Sequence, residues 1–274
     1  MSIPLSSPHV HSQYCDGKST AEEMVQAAIE RGFVSLGISS HATQDFDPGY
    51  CMDAAKEEAY IREIRALRQR YENQIRLWLG IERDAYSNAH PAKYDYVIAS
   101  AHYLRPDGDT FSVDGDLGQL RAGIDRHYHG SGGAMATAYY ALLGSYVRRS
   151  RPDIIGHFDL VMKHNRQGEL YDPDEPMVMR AALAAMEEAF EGCRLMEVNT
   201  GALARSAARA PYPSLTLLKH WRGLGGEVIL SSDCHSAHQI DAGYEEGLRL
   251  MREAGYDRMQ YLGTAERLFE TTAI

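Results

Sequence analysis

The sequence predicts an α/β fold in which parallel strands, each followed by a helix, close into a barrel. Short apolar runs rich in Val and Ile alternate with segments of helical periodicity along most of the chain. The length of 274 residues exceeds that of most single domains but lies within the range of (β/α) barrels. We therefore expect one domain over residues 1–274, built from seven or eight strand–helix units.

The predicted strands are short runs that end at polar residues, as strands packed between helices do. In chain order they are His9–His11, Val34–Ser39, Ile75–Glu82, Tyr94–Ser100, Asp153–His157, Arg194–Asn199 and Glu227–Ser232, with a weaker one near Met259–Leu262.

The predicted helices lie between these strands, at Thr20–Arg31, Ala54–Tyr71, Ala134–Arg149, Glu175–Phe190, Ser214–Trp221 and Glu245–Ala254. The first has the clearest end signals, because Thr20 is an N-cap with Glu23 three residues later and Gly32 follows the last turn. Residues at about 103–133 are rich in Gly and Asp and weakly periodic, so we expect an irregular, lid-like insertion there.

The charge balance excludes several classes of partner. With 28 basic and 38 acidic residues the net charge is −10, which argues against a surface that binds nucleic acid or an anionic membrane. No run approaches the roughly 20 apolar residues of a membrane span, and residues 1–5 do not form a secretory signal. The four cysteines form no CxxC pair, which favours reduced thiols. We expect a cytoplasmic monomer or small homo-oligomer.

The 12 histidines are the most informative residues, because imidazole serves both as a metal ligand and as an acid–base group near neutral pH. Ligand-type side chains follow the ends of six of the seven main predicted strands, and in a barrel those ends surround one site. The set comprises His9, His11, Asp16, His41, Glu82, His102, His157, Asp233 and His235. One four-coordinate zinc would use three or four of these nine donors, so we expect more than one ion.

Other candidate ligands fit this pattern less well. His127 and His129 form a second HxH pair, but it lies in the insertion and not at the end of an apolar run. Cys234 lies between Asp233 and His235, and strand alternation would turn its thiol to the opposite face. We expect these three residues to have no ligand role.

The ordered set HxH, downstream Asp, SxH, GxE, SxH, GHxD and DxH resembles that of the PHP (polymerase and histidinol phosphatase) family. Two further segments resemble the histidinol phosphatase branch more than the polymerase-associated branch. These are Tyr94–Gly115, with its VIASAHYL and FSVDG runs, and Glu197–Gly201 followed by Pro211–Ser214.

This resemblance implies a distorted seven-stranded barrel of PHP type that holds three divalent ions. His9, His11, Glu82 and Asp233 would hold the first ion; Asp16 and His41 would hold the second, bridged by Glu82; and His102, His157 and His235 would hold the third. Asp16 stands where several relatives have a histidine. Because a carboxylate is a harder donor than imidazole, manganese or iron as well as zinc would suit that position.

The resemblance also implies a metal-dependent phosphatase that hydrolyses L-histidinol phosphate to L-histidinol and phosphate, a step of histidine biosynthesis. A hydroxide that bridges two ions would attack phosphorus in line, and the carboxylates Asp16, Glu82 and Asp233 are the candidate catalytic residues. Candidate substrate contacts are Arg205 and Arg166 for the phosphate, Asp114 for the amine, and Asn199.

Three other functions remain open. A PHP phosphoesterase acting on nucleotides or another small phosphate monoester would share all the metal ligands. An amidohydrolase-like barrel also begins with HxH, but it often uses a bridging lysine, which no predicted strand end offers here. A non-catalytic metal-binding protein would bind ions without hydrolysing an ester.

Overall fold

A computed structural model describes residues 3–165, 167–205 and 210–274, the side chain of Arg205 excepted. The strands are β1 Ser6–Ser7, β2 Ser35–Ile38, β3 Arg76–Asp84, β4 Tyr96–Ser100, β5 Tyr103–Leu104, β6 Phe111–Ser112, β7 Ile154–Ile155, β8 Leu195–Asn199, β9 Glu227–Ser231, β10 Arg258–Leu262 and β11 Phe269–Ala273. The α-helices are α1 Ala21–Glu30, α2 Ala54–Arg70, α3 Leu117–Tyr128, α4 Gly132–Ser150, α5 Pro176–Phe190, α6 Gly201–Arg205, α7 Leu215–Gly223 and α8 Tyr244–Glu253.

The main sheet confirms the predicted α/β architecture but not the strand count. Its nine strands run in the order β1-β2-β3-β4-β7-β8-β9-β10-β11, and every neighbouring pair is parallel except β10–β11. The implied count of seven strands was wrong. The weaker strand predicted near Met259–Leu262 is present as β10, which pairs with β9 and is followed by the antiparallel strand β11. The sheet is curled, since Val10 beyond β1 forms a parallel bridge with Cys234 beyond β9.

The first strand lies earlier than the predicted His9–His11. Only Ser6 and Ser7 pair with β2, in register with Ser35 and Leu36. His9 and His11 follow that short strand, so their side chains lie at its carboxyl end, which is where the barrel places its site.

The predicted N-terminal cap of the first helix is confirmed. The Thr20 hydroxyl accepts from the Glu23 N–H at 3.2 Å, and the Glu23 carboxylate accepts from the Thr20 N–H at 2.7 Å. This reciprocal pair satisfies donors that the first turn would otherwise leave unpaired.

The insertion is more regular than the sequence predicted. It contains the hairpin β5–β6 and helix α3, and α4 begins within it. Asp116 caps α3 by accepting from the Gln119 N–H at 2.9 Å, and Leu120 and Ile124 are buried on one face. The capping residue and the i, i+4 spacing are the signals that identify this helix. No helix of the described residues is both long and apolar enough to cross a membrane.

Two glycines admit a large side chain to the interior of the sheet. Tyr96 on β4 is fully buried, and its hydroxyl donates to the carbonyl of Pro8 just before the ligand-bearing segment. A Cβ at Gly37 or at Gly80 would overlap the Tyr96 phenol. The two glycines therefore make room for the phenol that supports the segment carrying His9.

Gly80→Ala is expected to lower the free energy of unfolding by about 1–3 kcal/mol, because overpacking a well-packed interior forces side chains and backbone to shift. Chemical denaturation measures this change. Gly223→Ala is the matched control, since no described atom beyond its own helix turn and chain neighbours would meet the new Cβ, and it should change stability by less than about 0.5 kcal/mol. Equal effects of the two substitutions would contradict the packing argument.

Candidate metal centre

All nine predicted donors lie at one edge of the sheet, near or beyond the carboxyl ends of six strands or in the loops that follow. His9 and His11 follow β1 and Asp16 lies in the next loop, while His41 follows β2. Glu82 lies within β3, near its end. The remaining four donors, His102, His157, Asp233 and His235, follow β4, β7 and β9. Parallel pairing aligns these ends, so residues distant in sequence meet here.

Glu82 lies at the centre of the cluster and is 1% exposed. Its Oε2 is 2.8 Å from His41 Nδ1, 3.2 Å from His9 Nε2 and 3.5 Å from His11 Nε2. Its Oε1 is 3.1 Å from His157 Nε2 and 3.4 Å from His102 Nε2. One carboxylate therefore contacts five imidazoles, each of its oxygens facing a different set.

Eight of the nine donors, all except His157, fall into three overlapping groups. The inner group is His9, His11 and Asp233; another is His41, Glu82 and His102; and the third is His11, Asp16, His41 and His235. In each group one donor atom per residue lies within 4.8 Å of the others. This grouping differs from the one implied by resemblance, because it places His235 beside Asp16, at 3.1 Å, while His157 lies against Glu82.

Several donor atoms are buried without a hydrogen-bond partner among the described residues. They are Nε2 of His9 and of His11, Oδ1 of Asp16 and Oε2 of Glu82. Buried polar atoms are normally paired, so a cluster of acceptors and imidazole nitrogens without protein partners is suited to bind a cation. Two donors that share an ion at about 2.1 Å lie at most about 4.2 Å apart, and the N–O distances around Glu82 satisfy that limit. The residues present fit divalent metal ions.

Electrostatics within the cluster follow from burial and from the neighbouring charges. Burial alone lowers the pKa of His9, but Glu197, Glu82 and Asp233 outweigh it and raise that pKa well above its ordinary value. Burial, with His235 and His41 nearby, lowers the pKa of His11 to about 3. Burial opposes the charge on Glu82, yet the surrounding imidazoles hold its pKa well below the usual range. Glu82 therefore stays ionised within the cluster.

The cluster opens into a cavity of about 600 Å³. Seven of the nine proposed ligands line it, and the described lining also includes Lys18, Tyr50, Asp114, Lys163, Tyr212 and His238. Asp114 reaches it from the insertion and lies 3.0 Å from the Lys163 ammonium. The cavity thus places one carboxylate and cationic groups beside the metal-binding donors, which suits a small zwitterionic ester.

Comparison with known proteins agrees with this geometry. The family model described as PHP domain matches residues 7–201, more than two thirds of the chain. The chain belongs to the PHP domain family.

Two curated proteins resemble this PHP chain along most of its length. It is 25% identical over 272 residues to the probable histidinol-phosphatase of Schizosaccharomyces pombe, covering 88% of this chain and 84% of that protein. It is 25% identical over 268 residues to the histidinol-phosphatase of Bacillus subtilis, covering 86% and 96%. The structure of histidinol phosphate phosphatase from Lactococcus lactis, in complex with zinc, L-histidinol and phosphate, has the same fold, with a TM-score of 0.65, 19% identity and coverage of 95% of this chain and 97% of that one.

Sequence patterns alone did not identify Tyr50 in this PHP site. Its ring lies 4.0 Å from the His41 ring and 5.6 Å from the His102 ring, measured between centroids. Burial raises the pKa of its phenol well above the ordinary value, so the hydroxyl stays protonated. Tyr50 comes from the loop before α2, where no strand end or motif marks it.

The structure does not support Asn199 as a substrate contact. Its side chain is fully buried, and its amide donates to Glu197 Oε1 at 2.8 Å and to Asp233 Oδ2 at 3.1 Å. Asn199 is absent from the described cavity lining. Both amide hydrogens of Asn199 already have protein partners, one of them on Asp233, and its contact with substrate stays a prediction.

The side chains of the two predicted phosphate contacts lie outside the described residues. Arg166 lies outside the described residues, and so does the side chain of Arg205 at the end of α6.

The three residues predicted to have no ligand role belong to none of the three donor groups. His127 Nε2 is 2.9 Å from Asp109, His129 caps the end of α3, and the Cys234 thiol faces Met24 Sδ at 4.0 Å.

Proposed function

We propose that this PHP protein hydrolyses L-histidinol phosphate to L-histidinol and phosphate with divalent metal ions. The observation that carries the proposal is the cluster of nine ligand-type side chains, seven of which line one cavity together with the Asp114 carboxylate. The names of the two curated relatives support the substrate, and the ligands of the Lactococcus structure support zinc and a phosphate product.

We propose three ions, of zinc, manganese or iron. The inner donors His9, His11, Glu82 and Asp233 would hold one of them. Asp16, His41 and His235 would form an outer site that shares His11. His102 and His157, on the other oxygen of Glu82, would hold the third. Carboxylate and imidazole donors together suit borderline and harder ions alike.

The residues of the chain bind and orient the ester. When bound, clustered divalent ions activate water near neutral pH and neutralise charge on the phosphoryl oxygens. Glu82 and Asp233 hold the inner imidazoles in place, and burial of the cluster strengthens every charge contact within it. Arg205 and Arg166 are proposed phosphate contacts, since guanidinium matches phosphate geometry.

The insertion at about 103–133 would act as a lid within a single PHP domain. Asp114 is its proposed contact with the substrate amine, and Ser112 donates to Asp114 Oδ1 at 3.0 Å. His164 Nε2 donates to the Gly115 carbonyl at 2.7 Å, which ties this loop to the segment after β7. The amine would compete with Lys163 for the Asp114 carboxylate.

Metal analysis of the purified protein beside a phosphate-release assay tests the proposal. The panel contains L-histidinol phosphate, a nucleoside monophosphate and a sugar phosphate. We expect two or more ions per active chain and a kcat/KM for L-histidinol phosphate at least about tenfold higher, which corresponds to about 1.4 kcal/mol. Fewer than two ions in active protein would contradict the metal centre, and a preference for the nucleotide would favour the broader phosphoesterase.

Asp114→Asn is expected to reduce kcat/KM for L-histidinol phosphate by about 10–100-fold, because a hydrogen bond between charged groups contributes about 1.5–3 kcal/mol. A phosphate monoester without an amine is the matched control, since it shares the metal centre and should change by less than about threefold. Both substrates are compared by phosphate release with the same enzyme preparation. An equal loss for the two would show that Asp114 does not recognise the amine.

A further inference from the structure

Glu197 is a fully buried carboxylate next to the proposed metal centre. It begins the Glu197–Gly201 segment but was not among the predicted site residues. It lies on β8, and each of its oxygens accepts two hydrogen bonds. Oε2 accepts from His9 Nδ1 at 2.9 Å and from the Ser231 hydroxyl at 2.8 Å. Oε1 accepts from the His157 N–H at 2.7 Å and from the Asn199 amide at 2.8 Å.

These four contacts use the lone pairs that a carboxylate offers. Glu197 therefore has no free lone pair for an ion and lies behind the imidazole of His9, on the side away from Glu82. Because an ionised carboxylate only accepts, His9 Nδ1 must carry a proton. The nitrogen that faces the other proposed donors is then Nε2, which lies 3.2 Å from Glu82 and 3.7 Å from Asp233.

The same carboxylate reaches two more strand ends. Its contact with the His157 N–H fixes the backbone that carries that imidazole. Through the Asn199 amide, which also donates to Asp233 Oδ2 at 3.1 Å, it supports a third proposed ligand. Glu197 thus connects proposed ligands that follow β1, β7 and β9.

We propose that Glu197 is a positioning residue of this centre. By accepting a hydrogen bond from His9 Nδ1, it leaves His9 Nε2 as the nitrogen that binds the metal. Its other contacts hold His157 and Asp233 in position beside the same metal. The inference rests on the proposed metal centre and deepens it. Partners on the second nitrogen of a ligating histidine fix the ring and raise its basicity, and their loss typically weakens metal binding by about 10–100-fold.

Glu197→Gln tests this with little change in size. The His157 N–H and the Asn199 amide can only donate, so the carbonyl oxygen of the substituted side chain must face them. The amide nitrogen of that side chain then faces His9 and would donate to its Nδ1, which leaves the proton on Nε2. We therefore expect a folded variant whose zinc affinity, measured by competition with a chelator, is about 10–100-fold lower.

Two controls separate positioning from general loss of a buried carboxylate. Glu57→Gln alters a carboxylate that is 6% exposed and bonds Thr43 and Lys93, and it should keep wild-type zinc affinity. Excess zinc should restore phosphate release to the Glu197→Gln variant. If wild-type protein binds its full complement of zinc and Glu197→Gln binds zinc with the same affinity, the positioning role of Glu197 is overturned and the proposed function is not affected. A wild type that binds no zinc would instead contradict the proposed function.

A spectroscopic measurement keeps the inference testable if the variant does not fold. In zinc-loaded wild-type protein, 15N NMR of labelled histidines should show His9 with its proton on Nδ1, hydrogen-bonded to a carboxylate. A His9 ring with its proton on Nε2 would overturn the assignment.

Discussion

Glu82→Gln is expected to abolish phosphate release and to remove most of the bound metal. Glu82 contacts five of the six proposed histidine ligands, and its charge offsets both the ions and their imidazoles. An amide of the same size supplies one neutral oxygen in place of two anionic ones. Because metal ions contribute several kcal/mol to the stabilisation of charge in such reactions, we expect kcat/KM to fall by about 10³-fold or more.

Metal content and phosphate release, measured on the same preparation, check this prediction. Glu57→Gln is again the matched control, since that carboxylate is buried but bonds Thr43 and Lys93 instead of the proposed ligands. Near-normal metal content together with near-normal activity in Glu82→Gln would show that the centre does not depend on this carboxylate.

The proposed donors could be found from the sequence because each depends on a local rule. An apolar run that ends in a histidine, as before His41, His102 and His157, marks a strand end, and the barrel brings such ends together without further information. The capped first helix follows from Thr20 and Glu23 in the same local way. These features needed no knowledge of long-range contacts.

The supporting residues could not be found in that way. Glu197 lies inside a buried strand. Asp84 lies at the end of β3, and its Oδ2 accepts from the His102 N–H at 2.7 Å. Their partners come from other strands, so no local spacing marks them. Tyr50 lies in a loop, and only the folded chain places its ring against His41. The contacts of the Asn199 amide with Glu197 and Asp233 likewise become visible only in three dimensions.

Strand number was misjudged for a different physical reason. The seven predicted main strands all precede the hairpin β10–β11. β10 matches the weaker predicted strand, because only Met259 and Leu262 of its five residues are buried, and none of the five residues of β11 is buried. A parallel strand buried on both faces gives a continuous apolar run, whereas an edge hairpin does not. The sequence pattern therefore identifies the barrel strands more readily than the strands of the hairpin, and it predicts too few strands for the sheet.

Asp16 is the proposed ligand through which this chain differs from the family pattern. Its side chain is 30% exposed, and it lies 3.1 Å from His235 Nε2 and 3.7 Å from His41 Nε2. The imidazoles of His235, His41 and His11 hold its pKa well below the ordinary value despite burial. It is therefore an anionic donor at the most open part of the centre, where an ion exchanges with solvent most readily.

Asp16→Ala is expected to bind about one ion fewer per chain than wild type. Its activity should fall by at least about 10–100-fold, which is the loss that typically follows removal of an outer-shell partner. Asp16→His should instead keep zinc, because imidazole is a good zinc ligand, and lose activity supported by manganese, which prefers carboxylate oxygen. Metal content and phosphate release are measured after reconstitution of both variants and wild type with zinc or with manganese. If Asp16→His supports manganese-dependent activity as well as wild type does, Asp16 does not set the metal preference of the outer site.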